Sequence, residues 1–337
     1  MSQRKILTGL WLMALSTMPP VACGEPPGRP STADYALEHW EPDAYVAEVI
    51  TSAASGREVQ ASLRCLIEAA KAKQPSFNLD VRVVPGAAHG PSGDAASIVI
   101  YPPRSSKARR PMWRAALTME SVRALLESPA RKRIARLLAG GETAVWVLLE
   151  CSDAEKNDAA ASLLTRELEA LERTLKPSLR PTAEATEEAH AGHSVSFSLL
   201  RVRHNDAGED LLKASLLGSI EDLARLCEPM AFAVFGRGCS LDGLLGSELD
   251  AARIRETCEF LVRSCPHEHK RECPGLDLLV RAVWVSGRPR ARAADGGERT
   301  RTGRSRGPSH TTSSPESGLP EGGNDTPSPP RQGGPHR

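Results

Sequence analysis

The chain has 337 residues, 40% of them hydrophobic and 25% charged, with a formal net charge of +1 at pH 7. These values exclude a wholly disordered, collagenous or polytopic membrane protein. Residues 288–337 hold nine Arg against five acidic residues, so residues 1–287 stand at −3, without the basic footprint that nucleic-acid binding requires.

Arg4 and Lys5 precede an apolar run over residues 6–22. A short basic start, a short apolar run and then small residues is the form of a secretory signal peptide. Pro19 and Pro20 keep the run below the roughly 20 residues that a membrane-spanning helix needs. The run ends Pro20-Val21-Ala22-Cys23-Gly24. This resembles a bacterial lipoprotein box, with Cys23 as the lipid-attachment residue and Pro20 standing where that motif has an aliphatic. Residues 1–23 are therefore expected to be a signal peptide, and the Pro-rich stretch 24–34 a tether.

Residues 35–141 form a first unit. Residues 45–50 are a short apolar run, and the segment 57–72 sets Val59, Leu63, Leu66, Ile67 and Ala70 on one helical face. Phe77, Leu79, Val81 and Val83 alternate as a strand stopped by Pro85-Gly86, and strands are expected at 97–101 and 113–117. Thr118 and Ser128-Pro129 open two helices, and Gly140-Gly141 closes the unit.

The second unit, 142–287, opens with six consecutive apolar residues at 144–149, the pattern of a strand covered on both faces. Ser152 with Glu155 matches a capping box, and Leu164, Leu168, Leu171 and Leu175 follow at helical spacing. A polar connection, 177–193, leads to a strand at 195–202 and helical segments near 209–217 and 220–227. Strands are expected at 230–235 and 241–245 around the turn Gly236-Arg237-Gly238. Ser247 is the expected cap of a last helix that lines up Ala251, Ile254, Cys258 and Leu261. Trp113 and Trp146 fall in strands as core residues, while Trp40 and Trp284 flank the units and would seal them.

In residues 288–337, 17 are Pro or Gly, and Leu319 is the sole Leu, Ile, Val or Phe. This composition predicts a disordered tail, in which Gly303-Arg304-Ser305-Arg306-Gly307 imitates a hydrolase elbow without the strand and helix that motif needs.

The order strand–helix–strand then strand–strand–helix occurs twice, and it resembles the thioredoxin-like fold: two tandem βαβ-ββα units of α/β class. Glu228-Pro229, just before the third strand of the second unit, is similar to the position at which thioredoxin-like proteins keep a cis-proline beside their active site. The segments 128–131, 145–149, 228–238 and 274–284 also resemble a family of uncharacterised bacterial envelope proteins. That likeness implies a fold and an address, and no activity.

Dithiol exchange on a thioredoxin-like unit needs a thiolate at the start of the helix after the first strand, usually within Cys-x-x-Cys. The sequence has no Cys-x-x-Cys; the second unit has Cys151 alone, about two residues early. The resemblance implies that Cys151 and Cys227 lie at one sheet edge next to Pro229, as a disulfide or as two buried thiols. A second cluster, Cys258, Cys265, His267, His269 and Cys273, offers thiols and imidazoles for a zinc ion or a disulfide, although its spacing fits no common zinc module. His190 and His193 sit in a polar connection. The expected function is an exported envelope protein that binds or scaffolds a protein partner without dithiol chemistry or a cofactor. Its membrane contact runs only through a lipidated Cys23 or weakly through the Arg-rich tail. The alternatives are a thiol oxidoreductase or redox sensor using Cys151 with Cys227, and a zinc-stabilised module at 258–273.

Overall fold

A computed structural model describes residues 30–51, 55–85, 96–106, 110–176, 194–218, 227–265, 270 and 275–284. The expected signal segment with Cys23, the connection carrying His190 and His193, residues 220–226 of the helical segment expected near 220–227, the residues His267, His269 and Cys273, and the 288–337 tail lie outside them. The chain divides into the units Met1–Ala293 and Ala294–Arg337, and all described residues belong to the first.

The first helix, α1 (Thr32–His39), is capped by Ser31, whose hydroxyl accepts from the Asp34 N–H at 3.1 Å. Strand β1 (Tyr45–Thr51) leads through α2 (Arg57–Lys71) and the two-residue β2 (Ser76–Phe77) to β3 (Leu79–Pro85), which pairs parallel with β1. β4 (Ser97–Tyr101) pairs antiparallel with the other side of β1, and β5 (Trp113–Ala116) antiparallel with β4, giving the order β3-β1-β4-β5. Tyr45, Ala47 and Val49 alternate inward from β1 toward α2 and α3 (Met119–Leu126). Trp113, expected in the core, is only half-buried on the edge strand β5. Thr118 and Ser128 cap α3 and α4 (Pro129–Ala139) as the sequence implies.

The second sheet repeats the order. β6 (Ala144–Leu149) connects through α5 (Ala154–Thr174) to the parallel β7 (Phe197–Val202), and α6 (Asp210–Leu217) follows. β8 (Met230–Phe235) lies antiparallel to β6 on its other side. Of the segment expected as a strand at 241–245 only β10 (Leu244–Leu245) is one; the short β9 (Cys239–Ser240) precedes it, and both pair with β8. The chain then forms α7 (Ala251–Val262), β11 (Leu276–Asp277) against β9, and β12 (Arg281–Ala282) against β2. The order is β11-β9-β8-β6-β7. Every residue of β6 and β8 is buried, because α1, α5 and α7 cover one face while α4, α6 and residues 278–282 cover the other.

Two expected caps are corrected. Asp153 caps α5 in place of Ser152, and Asp250 caps α7 in place of Ser247. In each case a carboxylate nearer the helix accepts the free N–H groups: Glu155 and Lys156 at 3.0 and 3.1 Å, and Arg253 at 2.8 Å.

Polar residues tie the two sheets together. Arg131 is 5% exposed and donates to the carbonyls of Leu279 (3.0 Å) and Leu125 (2.6 Å). Glu209, 2% exposed, accepts from the Ser128 hydroxyl and from the Ala130 N–H at 2.8 Å, at the start of α4. Asn78 donates to the carbonyls of Asp43 and Leu278, both at 3.0 Å, and accepts from the Val280 N–H at 2.9 Å. In the turn before β9, Arg237 donates to the carbonyls of Leu37 and Glu38 at the end of α1. Gly236 adopts φ +58° there, and a Cβ on it would stand 2.7 Å from that of Ala36.

Candidate functional site

The Leu149↔Met230 pair is the last rung between β6 and β8. Continuing that antiparallel register sets Cys151 opposite Glu228 and beside Cys227. That register and the contact of the Ser152 hydroxyl with the Cys227 sulfur put the two thiols at one corner, so the structure brings together the pair that the sequence singled out. Both are reduced.

Their surroundings differ. Cys151 is 8% exposed, and its main chain is held at both ends by the buried Asn157: its N–H donates to Oδ1 and its carbonyl accepts from Nδ2, each at 2.9 Å. The Asp153 N–H donates to its sulfur at 3.4 Å. Burial pushes the Cys151 thiol above the ordinary range despite that donor. Cys227 is exposed, and its sulfur meets the Ser152 hydroxyl at 3.1 Å. Lys156 Nζ donates to the Cys227 carbonyl at 3.1 Å and pairs with Glu228 at 2.5 Å. The Ser152 hydroxyl, then Cys151 and the Lys156 charge, draw the Cys227 thiol below the ordinary range, against desolvation and the Asp153 carboxylate.

Pro229 follows at the start of β8. The cis bond among the described residues is Gln74–Pro75, so Glu228–Pro229 is trans, in contrast to the cis-proline of the thioredoxin resemblance. Gly246 packs against this corner: a Cβ on it would lie 2.6 Å from Glu228 Oε2 and 3.1 Å from Pro229 Cδ.

The second cysteine cluster is only partly visible. Cys258 and Cys265 are 0% and 2% exposed and belong to the core between the sheet and α5 and α7. Burial pushes the Cys258 thiol up to about 12, against a contact with the Trp146 indole, so it behaves as a small core hydrophobe. His267, His269 and Cys273 lie outside the described residues. Among the described residues no group of three or more His, Cys, Asp or Glu is placed to hold a metal ion, and no helix is long and apolar enough to cross a membrane.

Sequence reasoning missed Ser152, Lys156 and Asn157 as members of the site. The first was read as a cap, and polar residues within a helix carry no signal that separates a functional partner from a solvated one. No protein-family model matches the chain, and no curated protein matches it.

Proposed function

We propose that the chain is an exported protein of two tandem thioredoxin-like units, and that Cys151 and Cys227 of the second unit form a redox-active thiol pair. What carries this reading is the placement of two thiols from different elements at the one corner where β6 ends and β8 begins. The likeness to the thioredoxin fold is supported by the sheet orders: in each unit a parallel strand–helix–strand is followed by two antiparallel strands on the opposite side. Export is supported by the basic-then-apolar start of the sequence, and envelope attachment by Cys23.

The pair would cycle between dithiol and disulfide, an exchange suited to an oxidising compartment. The first unit has no cysteine at residues 51–57, where its helix follows β1. Its task on this reading is to hold a protein partner, which keeps the binding role while giving chemistry to the second unit.

The test equilibrates the mature chain in graded glutathione redox buffers, quenches by alkylation under denaturing conditions, and reads intact mass with peptide mapping. The expected result is the reversible loss of two alkylatable thiols, mapped to Cys151 and Cys227. If both stay alkylatable in the most oxidising buffer while the chain remains folded, the redox reading fails and a pure binding or scaffold role stands.

A further inference from the structure

Resting on that dithiol reading, we propose that exchange with substrate occurs at Cys227, that Cys151 is the resolving thiol, and that Lys156 is the positioning residue for Cys227. The substrate class is an accessible disulfide. The polarity is set by access. An attacking sulfur needs open space along the line of the bond it breaks, and Cys227 is the exposed member of the pair. Cys151 is buried and fixed through both ends of its peptide by Asn157, so a bulky disulfide cannot reach it while a neighbouring Cys227 sulfur can. Lys156 reaches from the first turn of α5 to the Cys227 carbonyl and to Glu228. It therefore holds the strand leading into β8 against the helix and keeps a positive charge beside the thiolate.

The Cys227 thiolate, having given its proton to solvent, attacks one sulfur of the substrate disulfide. The Cys227–substrate bond forms as the substrate S–S bond breaks, and one thiol leaves with a proton. Cys151 then loses its proton and attacks the Cys227 sulfur. The Cys151–Cys227 bond forms and the second substrate thiol departs protonated. The protein is oxidised by two electrons and the disulfide is reduced to two thiols.

Cystamine is the probe, applied to the mature chain with mass mapping of each cysteine. In Cys151→Ser, cysteamine is expected to remain trapped on Cys227. In Cys227→Ser, native Cys151 is expected to react at least roughly tenfold more slowly, and readily only after denaturation. Comparable rates at the two sulfurs overturn the assignment. Lys156→Met is expected to raise the pH midpoint of Cys227 labelling, and Lys156→Arg to restore it. Superimposable pH profiles would remove Lys156 from the site. Should Cys227 react first while the wild-type pair never closes, the dithiol reading fails and the identity of the attacking sulfur survives.

Discussion

Replacing Glu209 by Gln tests the polar tie between the sheets. The change keeps the side chain's shape and an acceptor for the Ala130 N–H, and removes a charge from a site 2% exposed. Beside it stands Arg131, 5% exposed, whose guanidinium burial lowers to about 10 while the Glu209 charge acts to raise it. Glu209 itself accepts from the Ser128 hydroxyl and the Ala130 N–H and acts on Arg131 through space, so losing the charge costs about 1.5–3 kcal/mol, the range for hydrogen bonds to a charged group. The carbonyls of Leu279, Leu125 and Ala124 still hold the guanidinium after the change. For a unit of this size that corresponds to a fall in Tm of about 3–12 °C. Arg131→Met should cost at least as much, since it strands those carbonyls. The assay is urea unfolding of the full chain, completed as a double-mutant cycle. The double variant should fall short of the summed losses by about 0.5–3 kcal/mol. A Glu209→Gln variant within about 0.5 kcal/mol of wild type, or strict additivity, would refute a coupled pair.

Gly243→Ala would bring a Cβ to 2.4 Å from the ring of Phe232, itself 4% exposed. Overpacking there should cost about 1–3 kcal/mol in urea unfolding, and an unchanged midpoint would mean that β10 yields freely. Cys258 gives a pH prediction. Its native thiol is pushed up to about 12, while an unfolded thiol titrates near about 8.5. The native state therefore binds a proton that the unfolded state releases, and stability is lost as pH rises through that window by at most about 1.4 kcal/mol per unit. Urea unfolding at about pH 8 and about pH 10 should show a smaller alkaline loss for Cys258→Ala than for wild type. Parallel losses would show that the thiol is not protected.

Much of the fold was legible because burial leaves a strong imprint on sequence. The runs at 144–149 and 230–235 coincide with β6 and β8, since a strand covered on both faces admits no polar residue. The caps at Thr118 and Ser128 were legible because a lone hydroxyl stood before a helical pattern. The shortening of 241–245 to Leu244–Leu245 was not, because Gly243 sits where a Cβ would stand 2.4 Å from the Phe232 ring, a closeness made across the sheet. Nor was the closure of the structure by its own ends. α1 packs against the core of the second sheet, and Arg281 and Ala282 pair with Phe77 and Ser76, partners about 200 residues away that no local pattern can indicate. At the candidate site, the meeting of Cys151 with Cys227 followed from strand direction, whereas Lys156 and Asn157 depend on which face of α5 turns toward the sheet edge.

The exchanged caps and the unequal thiols have one cause. Ser152, the residue that the capping pattern selects, turns its hydroxyl to the Cys227 sulfur, and Asp153 takes over the first free N–H groups of α5. The helix therefore begins at Ala154, leaving Cys151 before its first turn. The favourable field of a helix N-terminus fades within about one turn, and the Asp153 carboxylate standing at that terminus opposes a second negative charge beside it. Cys151 is thus denied the activation that an N-terminal helix position gives a thiol, and burial raises it further. The hydroxyl withdrawn from the cap is the same group that most strongly favours the Cys227 thiolate. On the proposed dithiol reading, a cysteine set before the helix start passes the attacking role across the sheet edge to Cys227, in the segment that leads into β8.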